Sequence, residues 1–162
     1  MTPMTPHASE RSPDTIVLVH GFWVTPRSWE HWISYYAAKG YRVLAPAYPG
    51  FEVEVEALNA DPTPVERLTV PAIIAHLESI VGALGAPPIL MGHSAGGTFV
   101  QILLDHGFGA AGVTFNSAPT EGGEVFEGRS HLLPAQRGWE EIADYALSWA
   151  ERHVVSLAER GA

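Results

Sequence analysis

Pro88-Ile89-Leu90-Met91-Gly92-His93-Ser94-Ala95-Gly96-Gly97 sets one serine between two glycines, directly after an apolar run and directly before a helical one. That is the layout of a nucleophile elbow, a tight strand-to-helix turn that exposes a hydroxyl. A serine at its ordinary pKa is a weak nucleophile, so chemistry at one requires such exposure, a neighbouring base and donors for the developing oxyanion. Gly92 and Gly96 leave room where strand and helix crowd the serine backbone. Thr98 through Leu104 supply a helix whose N-terminus faces the anion. Gly-x-Ser-x-Gly is short and the chain holds 16 glycines, so the competing reading is a small turn serine with no chemistry. The flanks favour the elbow. Ile89, Leu90 and Met91 after Pro87-Pro88 read as a buried parallel strand, and Phe99, Val100, Leu103 and Leu104 fall at helical spacing.

Outward from the elbow, strands and helices alternate. Thr15-Ile16-Val17-Leu18-Val19 is a β-branched run ending at His20-Gly21, followed by a loop through Pro26 and a helix from about Ser28 to Lys39, stopped by Gly40. Arg42 to Ala45 is the next strand, and Pro46 through Pro64 reads as an irregular acidic segment. Thr69 caps a helix with Pro71 in its first turn, on which Ile73, Ile74, Leu77, Ile80, Val81 and Leu84 share one face before Gly85. After the elbow helix come a strand over Gly112–Asn116, a shorter one over Glu124–Phe126 and a last helix from Trp139 to about Glu159. This alternation implies an α/β fold, a reduced, doubly wound and mainly parallel sheet covered by helices on both faces.

The composition sets further bounds. At 162 residues, with 46% hydrophobic and 17% charged side chains, the chain suits one domain over residues 15–162, preceded by a polar, Pro-rich tail over 1–14. A formal net charge of −9, with the 9 Lys and Arg scattered, argues against binding nucleic acid or an anionic membrane. No cysteine is present, which fits a reducing compartment, and a cytoplasmic location is expected. The first residues lack a signal-peptide core, and no transmembrane stretch is visible. No histidine pair stands at a recognisable ligand spacing with a carboxylate partner, so neither a metal nor another cofactor is expected.

The elbow and its flanks resemble the α/β-hydrolase family, serine esterases and lipases in particular. By that resemblance one oxyanion donor is the N–H after the nucleophile, Ala95, and the other lies in the loop after the first strand, His20-Gly21-Phe22-Trp23. Carried over by position, the second donor is the N–H of Phe22, with Trp23 on the pocket wall. Phe22 and Trp23 also read as core aromatics at a tight turn, and a backbone donor role is compatible with that.

The base should be one of eight histidines. His7 lies in the tail, His31 and His76 on helices before the serine, His93 inside the elbow, His106 at a helix end and His153 on the last helix. Beyond His20, already in the first loop, His131 remains. Its setting, Gly128-Arg129-Ser130-His131-Leu132-Leu133 before a long final helix, resembles the family's histidine loop, and a surface loop histidine is the alternative.

The acid is where the chain departs from the family, whose order is Ser, then Asp or Glu, then His. Only 37 positions separate Ser94 from His131, where full-length relatives place a cap and an acid-bearing strand. Residues 117–123 join two expected strands, too few for a crossover helix, since parallel connections take about a dozen residues or more. The domain therefore reads as shortened around 117–124. Glu121 is the best remaining acid by position, ahead of Glu124 and Glu127, and all three also read as solvated surface charges.

These readings point to a serine hydrolase, carboxylesterase-like, acting on small apolar esters with Ser94 as nucleophile and His131 as base and then acid. Phe22, Trp23 and Met91 suggest an apolar pocket. Two alternatives stay open: a cofactor-free lyase or perhydrolase on the same site, and a catalytically incomplete hydrolase with a binding role or none. A shortened sheet should expose a strand edge, Gly112–Asn116 or Glu124–Phe126, and so favour a homodimer.

Overall fold

The computed structural model describes residues 13–117 and 126–154. Four parallel strands, β1 (Thr15–Val19), β2 (Arg42–Leu44), β3 (Ile89–His93) and β4 (Ala111–Phe115), form a sheet in the order β2-β1-β3-β4. The register sets Val19 beside Gly92 and His93 beside Phe115. The α/β reading with a parallel sheet therefore holds.

Alternation along β1 explains why all of it is buried. Ile16 and Leu18 join one apolar cluster, and Val17 and Val19 join another on the opposite face. The first cluster packs against α1 (Glu30–Ala38) through Trp32 and Tyr36, and against α6 (Trp139–Arg152) through Ile142, Ala143 and Ala146. The second packs against α4 (Val70–Gly82) through Ile73, Leu77 and Val81, and against α5 (Ala95–Asp105) through Phe99, Val100 and Leu103. A strand covered on both faces reads as a continuous hydrophobic run, which β1 and β3 do.

Several boundaries follow local chemistry. Thr69 caps α4, its hydroxyl accepting from the Ala72 N–H at 3.4 Å, with Pro71 in the first turn where no donor is needed. A single 3-10 turn over Pro26–Trp29 leads into α1. The acidic segment expected to be irregular instead holds two short helices, α2 (Val55–Ala60) and α3 (Thr63–Arg67), the second opened by Pro64. Neither is long enough to show a clear helical repeat. The last helix ends at Arg152 rather than near Glu159, because the His153 N–H closes on the Ala150 carbonyl and its ring on the Trp149 carbonyl.

The expected strand over Glu124–Phe126 lies outside the described residues apart from Phe126, which belongs to no strand and packs edge-on against Tyr145 at 5.1 Å. Glu121 and Glu124 also lie outside them. Among the described residues no helix is long and apolar enough to cross a membrane.

Strand order reverses between β1 and β3. In an open parallel sheet that reversal opens a crevice at the carboxyl ends of the two strands, which is where ligands bind. His20-Gly21-Phe22 leaves β1 there, and Ser94 leaves β3.

Candidate active site

Ser94 stands between β3 and α5 at φ 56° and ψ −123°, a sparsely populated backbone region for a residue with a side chain. Its N–H is tied to the Phe115 carbonyl at 2.9 Å, and its carbonyl accepts from the Gly97 N–H at 3.0 Å. The turn depends on close backbone approach. A Cβ at position 92 would lie 2.3 Å from the Gly96 carbonyl oxygen, and one at position 96 would lie 2.3 Å from that of Val19. Only glycine fits either place, as the elbow reading required.

The loop after β1 closes against this turn. A Cβ added at Gly21 would lie 3.2 Å from that of Ser94, so the two backbones are in contact, with Phe22 following on one side and Ala95 opening α5 on the other. The loop is fixed from below. Tyr48 donates its hydroxyl to the His20 carbonyl, and the His20 ring lies tilted against Tyr48 with centroids 4.0 Å apart. Burial lowers the His20 pKa from the usual 6.5 to about 4, so the ring is neutral at physiological pH, and its Nδ1 lies 2.7 Å from the Gly21 carbonyl.

His131 meets the serine. Its Nε2 lies 3.0 Å from Ser94 Oγ, across 37 positions of sequence. The loop that carries it is held by its own bonds. Arg129 reaches the Arg137 carbonyl and the Glu141 carboxylate, and the Gln136 side chain bonds both Gly128 and Ser130. Trp32 Nε1 donates to the Pro134 carbonyl at 2.9 Å, and Leu133 is buried beside the α6 cluster.

Among the described residues no carboxylate is bonded to the His131 ring. Glu127 is exposed. Besides Ser94, the elbow reaches the histidine segment through His93, a residue to which its position in the sequence assigns no role. Its Nε2 lies 2.5 Å from the His131 carbonyl oxygen, and the two rings stand 5.0 Å apart. A signal for it exists in the sequence. Alternation along β3 puts His93 on the same face as Ile89 and Met91, toward α6 and the loop before it.

Met91 is not on a pocket wall, contrary to the expectation from its apolar character. It is fully buried, with its sulfur 3.5 Å from the Tyr36 hydroxyl, so it belongs to the core and lines no pocket. Trp23 is 86% exposed and Phe22 40%, and with Val55, Leu58, Asn59, Pro62 and Val65 they border an open cavity of about 200 Å³. A larger cavity of about 380 Å³, between the Gly50 turn and α3, includes none of the residues around Ser94.

A two-sided parallel sheet with a strained serine between β3 and α5 and a histidine against its hydroxyl is the architecture of an alpha/beta hydrolase. The chain matches the model of the alpha/beta hydrolase family over residues 16–160, and it belongs to that family. Among solved structures it is similar to a predicted CIB-like hydrolase from Thermoplasma acidophilum, with 18% identity, 90% of this chain and 89% of that one covered, and a TM-score of 0.66. It is also similar to an extracellular alpha/beta-hydrolase from a Paenibacillus species, described as sharing structural and functional homology with tobacco Salicylic Acid Binding Protein 2, at 26% identity over 67% of this chain and a TM-score of 0.55. A pyrethroid hydrolase from Sphingobium faniae matches at 22% identity over 72% of this chain, with a TM-score of 0.53. The chain spans 43% of the Paenibacillus enzyme and 47% of the Sphingobium enzyme. No curated protein sequence matches it significantly.

Proposed function

We propose that this chain is a serine hydrolase acting on small, neutral, apolar esters, with Ser94 as nucleophile and His131 as general base and then general acid. The observation that carries the reading is the 3.0 Å approach of His131 Nε2 to the hydroxyl of a serine held at positive φ. In that pair Nε2 accepts the Ser94 proton, so Nδ1 carries the resting hydrogen. Ser94 Oγ attacks the ester carbonyl carbon as its proton passes to Nε2. The oxyanion that forms is stabilised by the N–H groups of Phe22 and Ala95, at about 3 kcal/mol each. Collapse breaks the C–O bond, and the alcohol leaves with the proton from Nε2. Water then repeats the sequence on the acyl-serine, returning the enzyme and a carboxylic acid. No cofactor enters this cycle.

The substrate class rests on the cavity beside Phe22. Its border of Phe22, Trp23, Val55, Leu58, Pro62 and Val65 suits an apolar acyl or alcohol group. A net charge of −9 disfavours anionic esters. A second reading, a hydrolase working below full efficiency through a Ser94–His131 dyad, draws on Glu127, the candidate acid among the described residues, which is exposed and makes no bond to the His131 ring. An acid that orients the histidine can matter by about 10⁴, whereas an oxyanion hole alone leaves residual catalysis.

Labelling with a fluorophosphonate, which forms an adduct only with an activated serine, tests the proposal. The expected result is one adduct on Ser94, absent in Ser94→Ala and formed several orders of magnitude more slowly in His131→Ala. A protein that takes no label, or a label that survives Ser94→Ala, overturns it.

A further inference from the structure

Histidine 93 sits inside the elbow, one residue before Ser94, with 5% of its surface exposed. Such a residue is ordinarily read as strand filling. Its surroundings give it more to do. A backbone carbonyl can only accept a hydrogen bond, so the 2.5 Å contact between His93 Nε2 and the His131 carbonyl requires the hydrogen on His93 Nε2. This is a link between the two segments that carry the reacting groups, and it runs from the residue next to the nucleophile to the backbone of the base itself. Apart from the contact of the His131 ring with Ser94, the side-chain bonds of the 126–138 loop tie it to itself, to α1 or to α6.

We infer that His93 is a positioning residue, whose Nε2–H, donated to the His131 carbonyl, fixes the backbone from which the His131 ring reaches Ser94. The inference rests on the reading of Ser94 and His131 given above and adds a further residue to that site. In hydrolases with a full triad a carboxylate orients the base by holding its free ring nitrogen. Here a neutral histidine holds the same residue by its main chain, from the opposite end of the side chain.

Neutrality matters to the device. The groups facing the His93 ring are the His131 ring at 5.0 Å, the Trp29 ring at 6.5 Å and the Gly21 backbone. A cation on His93 would oppose the imidazolium that His131 becomes when it takes the serine proton. Burial pulls the His93 pKa below its usual value, outweighing the hydrogen bond to the His131 carbonyl, which acts to raise it. The anchor therefore works as a single tautomer and places no charge beside the developing cation.

The experiment uses the full chain with His93→Phe, which keeps a flat ring of similar size and removes the donor, and His93→Gln, whose amide nitrogen can take the place of Nε2. Fluorophosphonate labelling of Ser94 is measured against probe concentration, separating the maximal labelling rate from the half-saturating concentration. His93→Phe should lower the maximal rate on the order of 10- to 100-fold, with half-saturation unchanged, because a displacement of about 1 Å at a reacting group costs that much. His93→Gln should recover most of it. A wild-type rate in His93→Phe, or His93→Gln as slow as His93→Phe, overturns the inference.

A second measurement does not depend on catalysis. Trypsin cleavage after Arg129 and Arg137, followed by mass spectrometry on the native protein, should be faster in His93→Phe than in wild type and His93→Gln. Equal cleavage in all three overturns the anchor. If wild type takes no label, the reading of Ser94 has failed, and the cleavage comparison still decides whether His93 holds the loop.

Discussion

Replacing Ser94 by glycine should give a more stable protein than replacing it by alanine, the reverse of what an ordinary position next to a helix would show. Ser94 holds φ 56° and ψ −123°, the mirror image of extended backbone. Glycine adopts that conformation freely, whereas a residue with a Cβ held there stores on the order of 1–3 kcal/mol of strain. Glycine also brings about 0.5–1 kcal/mol of additional unfolded-chain entropy relative to alanine. Both substitutions delete the Oγ that lies 3.0 Å from His131, so that loss cancels between them. The balance leaves Ser94→Gly ahead by about 1 kcal/mol, or roughly 2–4 °C in Tm for a chain of this length. Urea unfolding followed by tryptophan fluorescence is a suitable assay, because Trp29 and Trp32 are fully buried and report the core. In an unstrained helix interior, alanine would lead by about 1 kcal/mol. That ordering, Ser94→Ala at or above Ser94→Gly, would refute the claim that the elbow stores strain to expose its hydroxyl.

Gly96→Ala should cost about 1–3 kcal/mol or more by overpacking, since its Cβ would meet the Val19 and His20 carbonyl oxygens at 2.3 and 2.5 Å. Because relief must push the Phe22 loop from Ser94, fluorophosphonate labelling should fall more than Tm suggests, and a variant matching wild type in both counts against the packing. The His20 pKa drops from 6.5 to about 4 on folding, so between those values the unfolded chain binds the proton and the folded one does not. Stability contributed by His20, roughly 3 kcal/mol, is present above pH 6.5 and lost as pH falls toward 4; urea titrations of wild type and His20→Asn should differ in slope over that window, and equal slopes exclude the effect. Glu127→Gln should leave ester hydrolysis unchanged, whereas Glu121→Gln should lower it by a large factor if Glu121 supplies the acid; equal rates in both reduce the site to a dyad. Light scattering at high concentration should find a homodimer, because β4 has a hydrogen-bonded neighbour only in β3 among the described residues; a monodisperse monomer counts against it.

How much of this was legible in the sequence depended on the range of the interaction. β1 and β3 were readable because burial on both faces leaves an unbroken apolar run, and α4 because Thr69, Pro71 and a single apolar stripe agree. Gly92 and Gly96 announced the elbow because no other residue fits their contacts. The helices α2 and α3 were missed because six- and five-residue elements do not complete enough turns to show a period. Met91 was misplaced since its apolar character suits a pocket and a core equally. His93 was set aside for want of a tertiary partner. Alternation along β3 gives its face, but the carbonyl it meets lies 38 positions away, and no local pattern encodes that partner.

The short interval between serine and histidine is less damaging to the site than it is to the fold, because of where each part is anchored. Phe22 and Ser94 sit at the ends of β1 and β3, adjacent in register through Val19 and Gly92, so they need no other strand to meet. The serine N–H is held by Phe115 at the end of β4, the next strand over. His131 arrives on a loop that depends on no described strand of its own. Trp32 holds that loop through Pro134, Glu141 holds it through Arg129, and α6, packed against the β4 side of the sheet, fixes its far end. Ser94, the Phe22 loop and the His131 loop are thus secured between them by β1, β3, β4, α1 and α6. What a strand between β4 and the histidine loop would add is a fixed place for a carboxylate beyond the His131 ring. On the proposed reading such a place bears on how His131 is oriented, while Ser94 and the Phe22 loop take their positions from β1, β3 and β4. The proposed link from His93 to the His131 main chain would add a constraint of a different kind, because it comes from β3 and needs no further strand.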